Sequence, residues 1–173
     1  MNGKLVGGFI VGTALLAGAA LYYLQTYYYY EPVELAAGEA PVELTSIASG
    51  EPEAIIADGF EGTDATSSPI RYRACFTTTL SLAMLTETYE PYEGAVPRNA
   101  PAWFTCFDAE AIAEDIGAGR ALVFAGQRNI EYGIDRVVAI TEDGHGYVWE
   151  EVNECGDKAY DGTPLGEDCP VRD

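Results

Sequence analysis

Hydrophobic positions run without a break at the start of the chain. Residues 5–24 read LVGGFIVGTALLAGAALYYL, twenty residues with no charge. A helix of that length crosses a hydrocarbon core of ~30 Å, and a backbone in lipid must satisfy its own hydrogen bonds, so the run predicts one transmembrane helix. Six phenols follow at its end: Tyr22, Tyr23, Tyr27, Tyr28, Tyr29 and Tyr30. Tyrosine pairs an apolar ring with a wet hydroxyl, so this cluster reads as an interface belt at one membrane face. Residues 1–30 are thus expected to be the membrane element. The rival reading is a cleaved signal peptide, with Lys4 in a short basic region and Ala17, Gly18 and Ala19 at the cleavage site. The length of the apolar run and the tyrosines after it favour an anchor.

Beyond the tyrosines the pattern breaks up. Residues 31–68 are rich in Glu, Ala, Gly, Pro, Ser and Thr, with Ile47, Ile55, Ile56 and Phe60 as the main large apolar side chains. They read as an extended acidic tether that lies along something and forms no domain of its own. Residues 69–173 carry denser patterns. A strand is expected over 70–78, and 80–86 is either its continuation or a short helix. A loop follows, marked by Pro91, Gly94, Pro97 and Pro101. A helix is expected over 108–117: Asp108 suits the N-cap, Gly117 suits the position after the end, and Ile112 and Ile116 share a face. Strands are expected over 121–125, 132–140 and 146–152, with Asp143-Gly144 as a hairpin turn. The fold class is therefore α+β: a transmembrane helix, a tether, and a small antiparallel sheet with one helix packed on it.

Charge adds an orientation. The net charge is −19, divided as +1 before Gln25, −9 from there to Ile70, and −11 over the remainder. No Lys or Arg lies between Gln25 and Ile70, whereas Lys4 precedes the apolar run. The positive-inside rule then puts the N-terminus in the cytoplasm and the bulk of the chain on the far side of the membrane. An acidic surface repels nucleic acid and anionic lipid and attracts cationic partners; it also aids solubility. All four cysteines, Cys75, Cys106, Cys155 and Cys169, fall in the far-side part. An even number in an oxidising compartment predicts two disulfides. Of the three connectivities, Cys155–Cys169 and Cys75–Cys106 are favoured by local spacing, and a loop of the shorter size is worth ~3 kcal/mol in the chain-entropy account.

Catalytic and metal signatures are absent from the sequence. His145, the only histidine, sits between two glycines at an expected hairpin tip and reads as an exposed turn residue. The tail acids Glu154, Asp157, Asp161, Glu167 and Asp168 do not match an EF-hand loop and read as solvated. No haem-attachment motif or phosphate loop is present, so no cofactor, metal or catalytic residue is expected. Within the apolar run, Gly8 and Gly12 form a GxxxG extended by Ala19, a small-residue face that lets a second helix approach.

The stretches MNGKLVGGFIVGTALLAGAALYYLQ, NAPAWFTCFDAEAI and EYGIDRVVAITEDGHGYVWEEVNEC resemble a family of single-pass proteins of alphaproteobacteria. That resemblance covers nearly the whole chain. It implies an inner-membrane anchor with a periplasmic domain, and it transfers no activity. Two functional classes are carried forward. One is a non-catalytic accessory subunit of an energy-converting complex, photosynthetic or respiratory, with membrane lipid, a larger integral-membrane complex and a basic periplasmic electron carrier as partners, and no nucleic acid. The other is a tethered cysteine hydrolase, which requires a reduced thiol.

Overall fold

The computed structural model describes residues 2–164, 166, 169 and 170. Its first element is the long apolar helix α1, Gly3–Tyr23, which continues into a π-helical turn over Leu24–Tyr28. Asn2 caps it by accepting from the Lys4 N–H at 3.2 Å. Thr13, the one aliphatic hydroxyl in the apolar run, donates back to the carbonyls of Phe9 and Ile10 at 3.0 Å each. Its polar group is thereby satisfied within the helix, as lipid demands. No residue of α1 is buried, and by length and composition the helix is able to cross a membrane.

The rest is built on a six-stranded antiparallel sheet. Its strands are β1 (Glu31–Pro32), β4 (Asp58–Asp64), β5 (Arg73–Thr77), β8 (His145–Val152), β7 (Ile134–Thr141) and β6 (Ala121–Glu131), in that spatial order. A two-stranded hairpin, β2 (Glu43–Thr45) and β3 (Pro52–Ala54), forms a second sheet packed against the first, with the Thr45 hydroxyl donating to the Gly126 carbonyl at 3.0 Å. Two helices complete the domain: α2, Leu82–Thr88, and α3, Ala109–Gly117.

Side chains alternate between the faces of a strand, and here both faces are covered. One face holds Ala74, Phe76, Phe124, Val138, Ile140 and Val148 under Val42, Leu44, Ile55 and Leu85 from the β2–β3 hairpin and α2. The other holds Val123, Val137, Ala139 and Trp149 under Phe104, Phe107, Ala109 and Ile112. Burial on both faces explains why 137–140 is apolar at every position. The outer edge of β6 is not left open. The 90–92 segment runs along it, with Tyr92 N–H to the Val123 carbonyl and Ala125 N–H to the Glu90 carbonyl, both 2.9 Å.

The α+β class, the N-terminal apolar helix and both disulfides are as the sequence led us to expect. Cys75 is bonded to Cys106 and Cys155 to Cys169, across 31 and 14 residues. Asp108 does cap α3, accepting from Glu110 and Ala111 N–H groups at 3.1 and 3.2 Å. Gly117, however, is the last helical residue, and Gly119 takes the left-handed conformation after it, with φ 73°. Residues 82–88 resolve the open choice in favour of a helix, so two helices and not one accompany the sheet. The 31–68 segment is acidic and extended, but it is woven into the domain: it supplies β1 and β4 to the main sheet and Val42, Leu44 and Ile55 to the core. The reason is that β4 holds its place by backbone pairing to β5 and by Thr63, which is buried, and such contacts leave no apolar alternation in the sequence.

Candidate functional site

Where the apolar helix ends, the domain grips it. The indole N–H of Trp103 donates to the Thr26 carbonyl at 2.6 Å, and the Arg71 guanidinium donates to the Gln25 side-chain oxygen at 2.9 Å. Trp103 meets the Tyr30 ring edge-on at 5.9 Å, and Arg71 lies over the same ring at 5.6 Å. Carbonyls near a helix end lack partners within the helix, so the Trp103 contact satisfies one from outside. A cavity of about 270 Å³ lies in this joint, lined by Tyr22, Gln25, Thr26 and Tyr30 on one side and residues 99–102 on the other.

The 98–103 loop is held in place by Arg73. This side chain is buried and points its guanidinium at four backbone carbonyls: Tyr72 at 2.6 Å, Arg98 at 2.8 Å, Ile70 at 3.0 Å and Asn99 at 3.5 Å. Its ring contact is Phe107, at 5.6 Å. Burial lowers its pKa. The fork geometry of arginine spans several carbonyls at once, which an ammonium cannot copy.

On the same face of the sheet, at the ends of β7 and β8, lies a polar cluster. Asp135 is almost wholly buried and accepts from Asn153 Nδ2 at 2.6 Å, the Asn129 N–H at 2.8 Å and Arg128 Nη1 at 3.2 Å. Arg128 also binds Glu90 at 2.6 Å. Glu151, opposite Asp135 in the ladder, accepts from Arg98 at 2.9 Å, and from the Val96 N–H and the Trp149 indole at 3.0 Å each. Burial and the nearby Asp135 carboxylate push the Tyr92 phenol up to about 12. Asn129 adopts φ 48°, the left-handed region asparagine tolerates, and its side chain accepts from Gly133 N–H and Asn153. A shallow cavity of about 570 Å³ opens here, beside Glu93, Glu154 and Asp157. Each buried charge has a partner, as the cost of burying an unpaired one requires. The arrangement is a tie between the 90–98 loop, the β6–β7 hairpin and the tail.

The opposite face carries a cavity of about 480 Å³ between β1, the 39–43 segment and the β6–β7 strands. Arg136 lies at its base, 3.9 Å over the Tyr72 ring and 2.8 Å from Glu150. Glu31, Glu39, Glu43 and Asp64 line it. Burial pushes the Tyr72 phenol up to about 12 and raises the Glu150 carboxyl, against the opposing pull of Arg136.

The residues singled out from sequence fall as follows. Gly8 and Gly12 have open space around the position a side chain would occupy, and Ala19 is exposed on the same helix. Tyr22, Tyr23, Tyr27, Tyr28 and Tyr29 are exposed at the helix end, and Tyr30 is in the joint. His145 begins β8 and is exposed, with Asp143 at 3.7 Å. Cys75 and Cys106, either of which a cysteine hydrolase would pair with His145, are bonded to each other, and Cys155 and Cys169 form the second disulfide. Glu154, Asp157 and Asp161 form no metal-binding group with other described residues; Glu167 and Asp168 lie outside the described residues. Sequence reasoning missed Arg71, Arg73 and Trp103. The available signal was the absence of acids around them: none occurs in 65–86 or in 94–107 of so acidic a chain.

No curated protein and no solved structure matches the chain. Residues 42–170, covering the hairpin, the sheet from β4 onward and both disulfides, match a family described as a family of unknown function (DUF6446). That match takes in well over half of the chain, and the protein belongs to this family.

Proposed function

We propose that the protein is a membrane-anchored, non-catalytic accessory subunit of a larger integral-membrane complex. Its helix packs on the complex, and its domain covers part of the face on the oxidising side. The observation that carries this reading is the joint at the helix end. Trp103, Arg71 and Tyr30 fasten the domain to the helix, so a partner that holds α1 also fixes where the domain stands. A cleaved signal sequence would have no use for such contacts. The small-residue face at Gly8, Gly12 and Ala19, with open space beside both glycines, gives a neighbouring helix room to approach. A net charge of −19 suits the capture of a basic electron carrier by electrostatic steering, which supports the reading of the complex as an energy-converting one, photosynthetic or respiratory. The resemblance to single-pass proteins of alphaproteobacteria supports an inner membrane as the location.

The test is solubilisation in mild detergent followed by affinity capture of the full chain. Integral-membrane subunits of an electron-transfer complex are expected to come with it in fixed ratio. Recovery of the chain alone, from membranes in which that complex stays intact, rejects the reading. Orientation is tested separately. A reporter active only in the periplasm, fused after the last residue, is expected to be active; activity of a cytoplasmic reporter there reverses the orientation drawn from Lys4.

A further inference from the structure

The joint carries an inference about lipid that the anchoring role does not require. Residues 99–102 line one cavity with Tyr22, Gln25, Thr26 and Tyr30. Tyr22 belongs to the apolar run, which ends at Leu24. From Tyr22 to Thr26 the helix rises about 6 Å, at ~1.5 Å per residue. Headgroups extend a bilayer from ~30 Å to ~40–45 Å, so each headgroup layer is about 5–8 Å deep. The loop therefore stands beside the helix at headgroup depth, not above it. Its composition fits that level. Residues 99–107 read NAPAWFTCF, without a charge, in a chain that holds 28 acids. Three acid-free stretches, 1–30, 65–86 and 94–107, meet at this joint; a fourth, 116–130, runs largely through strand β6. Trp103 is 40% exposed although its indole N–H is satisfied, and Arg71 adds a cation beside it.

We propose that the 99–103 loop is seated in the headgroup layer of the bilayer, with Trp103 at the boundary to the acyl chains and Arg71 placed to meet lipid phosphate. Indole rings favour that boundary, since one side is apolar and the N–H is polar. The domain then leans on the membrane through its acid-free face and turns its acids to water. Arg73 is the positioning residue, since it holds the loop by the carbonyls of Arg98 and Asn99.

This inference rests on the reading of α1 as a membrane span, and the experiment separates the two. The full chain is reconstituted into phosphatidylcholine vesicles carrying a nitroxide quencher either near the headgroup or deep in the acyl chain. The chain has two tryptophans, and Trp149 is fully buried in the sheet. Subtracting the emission of Trp103→Phe from that of wild type isolates the Trp103 signal. The shallow quencher is expected to remove most of it, the deep quencher less, and Trp103→Phe is expected to respond to neither. A chain that floats with the vesicles and whose Trp103 emission ignores the shallow quencher overturns the seated loop while leaving the span intact. A chain that fails to float with the vesicles overturns the span and the seated loop together.

Discussion

Tyr72 shows how far one side chain's surroundings set its chemistry. Its ring carries the Arg136 guanidinium at 3.9 Å, and burial holds its phenol at about 12 against an ordinary value of 10.0. A raised folded value stabilises the protein for as long as the phenol is protonated. That contribution is whole below pH 10 and is lost as pH rises from 10 to about 12, to a total of about 2–3 kcal/mol. Tyr72→Phe keeps the ring over Arg136 and removes the titration. Wild type is expected to lose more stability than Tyr72→Phe across that interval in urea unfolding, although Tyr92 contributes a similar slope to both. Parallel curves for the two proteins reject the assignment. Arg73 makes the complementary point. It is a buried cation whose hydrogen bonds go to backbone carbonyls, so its task is to fix the course of a loop.

Among the elements, β5 and β8 are the best test of packing. Gly146 lies opposite Phe76 in their ladder, and a Cβ added there would fall within the Phe76 ring. Phe76 is buried in the core cluster on that face. Gly146→Ala is therefore expected to cost about 1–3 kcal/mol, the range for overfilled cores. Thermal unfolding measures it, and Phe76→Leu in the same chain is expected to restore part of the loss. An unchanged melting temperature for Gly146→Ala refutes the contact. The same elements explain what was legible in the sequence. The cap at Asp108, the turn at Asp143-Gly144 and the apolar run 137–140 each have a local cause, and each was readable. The strand β4 was not, because its register is set by β5, a neighbour it pairs with through the backbone. The joint at Trp103 was not readable either, since it brings together residues 77 positions apart whose side chains have no shared period.

At the scale of the whole molecule, an apolar helix with no buried residue is fastened to a domain whose own core is complete. The domain needs nothing from the helix to bury its apolar faces. The helix is thus free to spend its whole circumference on lipid or on another helix, and its two kinds of face have different consequences. Gly8 and Gly12 sit one turn apart with open space beside them. Leucine at both positions suits lipid at least as well as glycine does, so Gly8→Leu with Gly12→Leu is expected to leave membrane insertion unchanged. It is expected to wedge a neighbouring helix away and to release the protein from the proposed complex on affinity capture. A bulky change at Ile10 or Ala17, on the side of the helix opposite the glycines, is the control and is expected to be silent. Retention of the double variant at wild-type yield shows that the glycine face is not the contact. Ionic strength then tells what is. Attachment through the acidic domain weakens as the Debye length falls from ~10 Å at 0.1 M salt to ~3 Å at 1 M, and the protein washes off. Attachment through the helix depends on close packing in lipid, where salt does not reach, and survives the same wash.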